Sequence, residues 1–146
     1  MALDVRSPDV LVRDTGTAKG RGVYAARDFR CGELVEECPV ILVDMATIFL
    51  PATLKTMVFG WKAESHTFAI ALGYGSLYNH DNPASLRREY DMQNQTIRFL
   101  ARRDIATGEE LSINYDKAEG VSDGNRWFED QGIEPITGAG LSPADC

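Results

Sequence analysis

A mainly β domain with a small helical insert is the fold class this sequence predicts. Three observations lead there. Short runs rich in Val, Ile, Tyr and Phe recur between turn residues along the chain. A corner motif built on Arg-Asp and Gly-Glu occurs twice. Helical spacing of apolar residues is confined to one segment, residues 45–60.

Residues 10–13 (Val-Leu-Val-Arg) are the expected first strand, and residues 14–20 a turn or loop. Lys19-Gly20-Arg21-Gly22 then leads into Val23-Tyr24-Ala25-Ala26. Gly20 and Gly22 permit positive φ or close backbone approach. No third glycine and no helix pattern follows, so the dinucleotide fingerprint fails. A plain hairpin turn and a ligand-facing backbone both stay open here.

Arg27-Asp28-Phe29-Arg30-Cys31-Gly32-Glu33-Leu34 is echoed by Arg103-Asp104-Ile105-Ala106-Thr107-Gly108-Glu109-Glu110-Leu111. Each copy reads as a strand end, a glycine turn and a new strand. Two copies are too few for a solenoid, so the echo predicts two similar β corners in one domain. Residues 34–43 are β-prone but interrupted by Pro39, which predicts two short strands or one bent strand.

In residues 45–60, Met45, Ile48 and Phe49 precede Pro51, while Leu54, Met57 and Val58 follow it at helical spacing. Pro51 should split the segment or start a second helix. Residues 61–65 turn the chain and residues 66–72 form a strand. Residues 86–90 and 96–101 alternate as a hairpin, and residues 111–115 are the last strand. Beyond Asp116 the chain is polar and glycine-rich apart from Trp127 and Phe128, and residues 137–146 are expected to be a mobile tail. No alternating βαβ pattern occurs, which excludes a doubly wound nucleotide fold.

Residues 74–85 read Tyr-Gly-Ser-Leu-Tyr-Asn-His-Asp-Asn-Pro-Ala-Ser. Pro83 has no amide hydrogen and pushes Asn82 toward an extended conformation. Asn and Asp side chains fix turns by bonding nearby backbone. The stretch is either a polar turn or a rigid loop whose amide and imidazole groups serve a ligand.

The chain of 146 residues fits one domain, long enough to bury a core without staples. Its net charge of −7, from 22 acidic and 15 basic residues, argues against binding a nucleic-acid backbone and favours a cationic partner. Cys31, Cys38 and Cys146 form no CxxC pair, so neither a zinc site nor a disulfide framework can be read, and reduced thiols are expected. No signal peptide and no run of roughly 18 apolar residues is present. These features predict a soluble intracellular protein, cytoplasmic if bacterial, with no membrane partner.

Three separated pieces align in order: Lys19-Gly20-Arg21-Gly22-Val23-Tyr24, then Leu77-Tyr78-Asn79-His80 with Pro83, then Gly108-Glu109-Glu110-Leu111-Ser112-Ile113-Asn114-Tyr115-Asp116. Together they resemble the SET-domain protein lysine methyltransferases, in particular the compact single-domain members. The resemblance covers residues 10–116. It implies a β-clip of small curved sheets, with the last motif strand threading beneath the Asn-His segment in a knot-like crossing. Residues 117–136 would then be a closing segment of a single domain spanning 1–146.

The resemblance also implies S-adenosylmethionine in one surface pocket, leaving as S-adenosylhomocysteine, and a substrate lysine arriving through a narrow channel from the opposite face. By position, Lys19, Gly20, Arg21, Gly22, Tyr78, Asn79 and His80 would hold the cofactor. Tyr115 would be the catalytic tyrosine. An aromatic beyond the last motif, Phe128 or Trp127, would cover the adenine or complete the lysine channel. Phe68, Tyr74 and Ile113 would line that channel, with Trp61 a further candidate; core packing is the alternative for Phe68, Tyr74 and Trp61. No metal is implied.

Methyl transfer from a sulfonium to an amine is chiefly a positioning problem. Burial and a nearby positive charge both lower the pKa of a lysine, which supplies the neutral nucleophile without a strong base. The sequence departs from the family's Asn-His-Ser-x-x-Pro-Asn, reading Asn79-His80-Asp81-Asn82-Pro83-Ala84. Ile113 has no hydroxyl to hold a water against the amine, which predicts a channel that admits more than one methylation. The acidic surface suits a lysine-rich protein or peptide, histone-like or ribosomal, and the chain would act as a monomer or homodimer. Two alternatives come from other classes: a reader of basic peptides that keeps the clip without the chemistry, and a metal hydrolase using His66, His80 and Asp81.

Overall fold

A computed structural model describes residues 5–47, 49–61, 65–115 and 146. Its strands form two sheets. The first is built from β1 (Val10–Asp14), β2 (Arg21–Ala25), β6 (Asn79–His80) and β9 (Glu110–Ile113), in the order β1-β2-β9-β6. The second contains β3 (Leu34–Asp44), β4 (Phe59–Gly60), β5 (Thr67–Ala71), β7 (Leu86–Asp91) and β8 (Thr96–Ala101), in the order β4-β5-β3-β8-β7. The expected mainly β clip is what the chain adopts. Val23, Phe29, Phe99, Ile97, Leu111 and Ile113 are among its core residues.

Strand β3 resolves the question raised by Pro39. It is one strand of 11 residues that changes partner at the proline. Leu34 to Pro39 pairs with β8, and Val40 to Asp44 pairs with β5. Pro39 has no N–H to give a ladder, but its carbonyl accepts from Leu72 N at 2.9 Å. The expected β7–β8 hairpin is present in continuous register from Leu86↔Ala101 to Asp91↔Thr96.

The helical reading of residues 45–60 is largely overturned. Among the described residues of this stretch only Ala52–Lys55, here α1, is helical, and none of its residues is buried. With no apolar face against the core, nothing favours extending this single turn into the longer helix the spacing suggested. Asp44 instead closes a turn by accepting from Ala46 N at 2.9 Å, and Phe59–Gly60 pairs with β5 as a strand.

The two Arg-Asp corners are not merely alike; they pair with each other. Phe29 and Ile105 exchange backbone bonds, Phe29 N to Ile105 O at 2.9 Å and Ile105 N to Phe29 O at 2.8 Å. Asp28 accepts from Thr107 N at 2.8 Å, and Asp104 accepts from Cys31 N at 2.9 Å. Glu33 accepts from Arg30 N at 2.9 Å, as Glu109 does from Ala106 N at 3.1 Å. Gly32 and Gly108 occupy matching left-handed positions, at φ +84° and +88°. The sequence echo is therefore a local two-fold arrangement that joins the two sheets' connecting segments.

The expectation of reduced, unpaired thiols fails for two cysteines. Cys31 and Cys146 are joined by a disulfide with Cα atoms 5.8 Å apart, while Cys38 is free and buried. Cys146 is thus tied to the first corner, and the rest of the expected mobile tail lies outside the described residues, as does the closing segment. Among the described residues no helix is long and apolar enough to cross a membrane.

Candidate active site

The strand β9 sits between two segments far from it in sequence. It pairs antiparallel with β2 through Val23↔Leu111 and Tyr24↔Glu110. It pairs parallel with β6 through Asn79↔Ser112 and His80↔Ile113. All three motifs therefore meet in one sheet, with the Asn-His segment and the last strand side by side. Beyond β6, Ser85 and Ser112 lock the loop to β9 reciprocally: Ser112 N donates to Ser85 Oγ at 2.9 Å, and Ser85 N to Ser112 Oγ at 3.1 Å. The Asn82–Pro83 peptide, between β6 and Ser85, is cis.

The last strand was expected to run through Tyr115, but the ladder ends at Ile113. Side chains replace the ladder partners there. Tyr115 N donates to His80 Nδ1 at 3.0 Å, and Arg88 Nη2 donates to Asn114 O at 3.1 Å. The His80 and Tyr115 rings lie 5.2 Å apart, tilted by 50°. The Tyr115 hydroxyl turns back and donates to the Tyr78 carbonyl at 2.8 Å.

Burial raises the Tyr115 pKa, with the Arg88 charge opposing and Glu110 assisting, so this hydroxyl is protonated at neutral pH. Burial also lowers the pKa of Arg88, whose guanidinium lies 5.3 Å from the centre of the Phe59 ring.

Asn79 spends its amide N–H groups on Arg21 O at 2.9 Å and Glu110 Oε1 at 2.8 Å. That link is possible because residue 22 is glycine. A Cβ there would lie 2.7 Å from Glu110 Oε1, 2.9 Å from Thr15 Cγ2 and 3.2 Å from Asn79 Nδ2. Gly20, at φ +74°, faces open space. Lys19 and Gly20 on the turn between β1 and β2, and Arg21 at the start of β2, are exposed.

The structure thus gathers Arg21, Gly22, Tyr78, Asn79, His80 and Tyr115. Ile113 is buried beside His80 in the β6–β9 pair. Tyr74 is half-buried and packs against the core. Phe68 is not brought to Tyr115 by any described contact; it lies on β5, paired with Val43 and Gly60, alternating with buried Ala69 and Ala71. Trp61 is a core residue, edge-on to Tyr90 at 5.7 Å. Trp127 and Phe128 lie outside the described residues.

Sequence reasoning missed Glu36, Glu110 and Arg88, which are ordinary strand charges until the topology places them. Among the described residues no group of three or more His, Cys, Asp or Glu could hold a metal ion.

Comparison with known proteins agrees with this geometry. The SET domain family matches residues 20–116. A Schizosaccharomyces pombe (strain 972 / ATCC 24843) histone-lysine N-methyltransferase, H3 lysine-37 specific, is 31% identical over 130 residues, covering 87% of this chain and 81% of the relative. A crystal structure of a candidate histone methyltransferase from Plasmodium falciparum superposes with a TM-score of 0.66 at 21% identity, over 79% of this chain and 98% of the other. A ctPRC2 structure in an autoinhibited conformation, bound to S-adenosylmethionine, gives a TM-score of 0.63 at 20% identity, over 87% of this chain and 17% of the other. With its three motifs meeting on β9 and its matched span reaching from Gly20 to the residue after Tyr115, the chain belongs to the SET-domain family of protein lysine methyltransferases.

Proposed function

We propose that this protein transfers methyl groups from S-adenosylmethionine to the side-chain amine of lysine in a basic protein or peptide. The observation that carries the reading is the convergence of the Gly20–Gly22 turn, Asn79 and Tyr115 on one strand. The relative from S. pombe is named for lysine in histone H3, which makes a histone-like tail the first substrate to test.

The residues present fit the cofactor. Gly20 leaves open space beside its backbone, and Gly22 lets the Asn79 amide reach Arg21. Lys19, Gly20, Arg21 and Gly22 would offer backbone groups. Asn79, with both N–H groups already engaged, offers its carbonyl oxygen to the ammonium of the cofactor's amino-acid end. His80 would use its backbone toward the adenine, and Tyr78, buried with its hydroxyl on Glu36, would support that segment from the core. When bound, the cofactor supplies an electrophilic methyl group on a sulfonium.

The chain's own residues then solve a positioning problem. The Tyr115 hydroxyl commits its proton to the Tyr78 carbonyl, so toward the reactants its oxygen would act as an acceptor. It would orient the lysine amine and the polarised methyl hydrogens. Tyr115 does not act as a base at neutral pH, because burial holds it in the neutral form. The lysine loses its proton to solvent as burial and the positive sulfonium lower its pKa. Ile113 presents no hydroxyl near the site, which suits successive methylations of one lysine.

Incubation with labelled S-adenosylmethionine and a lysine-rich histone tail tests this reading. We expect label on lysine and mass spectra showing di- or trimethylated product. Peptide binding with no transferred label would favour a non-catalytic reader instead.

A further inference from the structure

Glu36 is a buried acid near the start of β3, 4% exposed, with no part in the chemistry above. Both carboxylate oxygens are used. Oε1 accepts from the Tyr78 hydroxyl at 2.7 Å, and Oε2 accepts from Tyr74 N at 3.0 Å. The carboxylate reaches Tyr74 because residue 73 is a glycine in the left-handed region, φ +75°, where a Cβ would lie 2.6 Å from Oε2. A charged group this deeply buried is costly to keep unless its bonds do something for the fold or the site.

What those bonds reach is telling. Tyr78, 1% exposed, is the residue whose carbonyl accepts the Tyr115 hydroxyl at 2.8 Å. Its ring is packed 4.9 Å from Phe99 and tethered at the far end by Glu36. Tyr74 begins the same Asn-His loop. Glu36 therefore holds the loop at two points, one on each side of the 3-10 turn Gly75–Leu77.

We infer that Glu36 is a positioning residue for methyl transfer: by fixing Tyr74 and Tyr78 it aims the Tyr78 carbonyl, and through it the Tyr115 hydroxyl, at the reacting amine. This rests on the reading of Tyr115 as the group that orients that amine. Glu36 touches neither reactant, so its effect runs only through Tyr115. Burial first, and then the Glu36 carboxylate, raise the Tyr78 pKa well above the ordinary tyrosine range. The Tyr78 hydroxyl is therefore protonated and able to donate at neutral pH.

A double-mutant cycle tests it. Single-turnover transfer to a histone-tail peptide is measured for wild type, Glu36→Gln, Tyr115→Phe and the double variant, with cofactor KM and thermal midpoints alongside. Glu36→Gln should lower the transfer rate about tenfold in wild type, with KM for cofactor and peptide unchanged within about twofold. In the Tyr115→Phe background it should lower the rate by less than about twofold.

Equal losses in both backgrounds, or no loss in wild type, would overturn the role of Glu36 alone. Absence of transfer by wild type would overturn the functional reading beneath it too. Should Glu36→Gln fail to fold, Tyr78→Phe serves in the same cycle. It keeps the carbonyl and removes only the tether, so the same non-additivity is expected and equal losses overturn the proposal.

Discussion

Gly75 has no room for a methyl group. A Cβ there would lie 2.8 Å from Ala71 Cβ, 2.9 Å from Cys38 Sγ and 3.0 Å from Phe99 Cε2. None of these neighbours can swing away, since all three are core residues. We therefore predict that Gly75→Ala destabilises the protein by about 1–3 kcal/mol through overpacking, measured by denaturant unfolding. At this scale the sequence was informative where chemistry was local and silent where it was not. Tyr115, Asn79 and His80 stand out because motif order marks them. Glu36 does not, because its partners Tyr74 and Tyr78 are about 40 residues away and only the fold brings them together.

Among the elements, the paired corners around Phe29 and Ile105 hold the frame. Phe29 is 2% exposed and carries the Arg27 guanidinium 4.0 Å above its ring. Ile105 faces it across the isolated bridge. Phe29→Ala should cost about 3–5 kcal/mol, whereas Phe49→Ala, at a residue 85% exposed, should stay within about 0.5 kcal/mol; thermal or urea unfolding distinguishes the two. The repeated Arg-Asp and Gly-Glu pattern made both corners legible, but not their mutual pairing, which depends on how the sheets close. The helical insert was overestimated for a related reason. Apolar spacing in residues 45–60 reports a period, yet Phe59 finds a better place in a strand beside Ala69. Pro39 was read correctly as a disturbance, although its consequence, a strand changing partners, needed both partners to be seen.

For the molecule as a whole, the buried titratable groups set how stability follows pH. Burial raises the pKa of Cys38, Tyr78, Tyr90 and Tyr115, and Glu36 adds to the first two. Each group binds its proton more tightly folded than unfolded. Their contribution is complete below the unfolded values and is lost as pH rises through the folded ones. The thermal midpoint should therefore fall progressively above roughly pH 9, where unfolded thiols and then tyrosines begin to ionise. A midpoint that holds level to pH 11 would count against this burial, since roughly pH 10 is where unfolded tyrosine ionises.

The mainly β class was legible from turn spacing and strand-prone runs. The disulfide between Cys31 and Cys146 was not, because a separation of 115 residues leaves no local signature.

The central claim is that Tyr115, held by Tyr78 and His80 at the end of β9, orients the methyl acceptor. Its most direct measurement is the rate of methyl transfer to a lysine peptide by Tyr115→Phe, with S-adenosylmethionine binding followed by calorimetry on the same sample. The rate should fall roughly 100-fold while cofactor affinity and thermal midpoint match wild type. A Tyr115→Phe protein that methylates lysine at the wild-type rate would contradict the account.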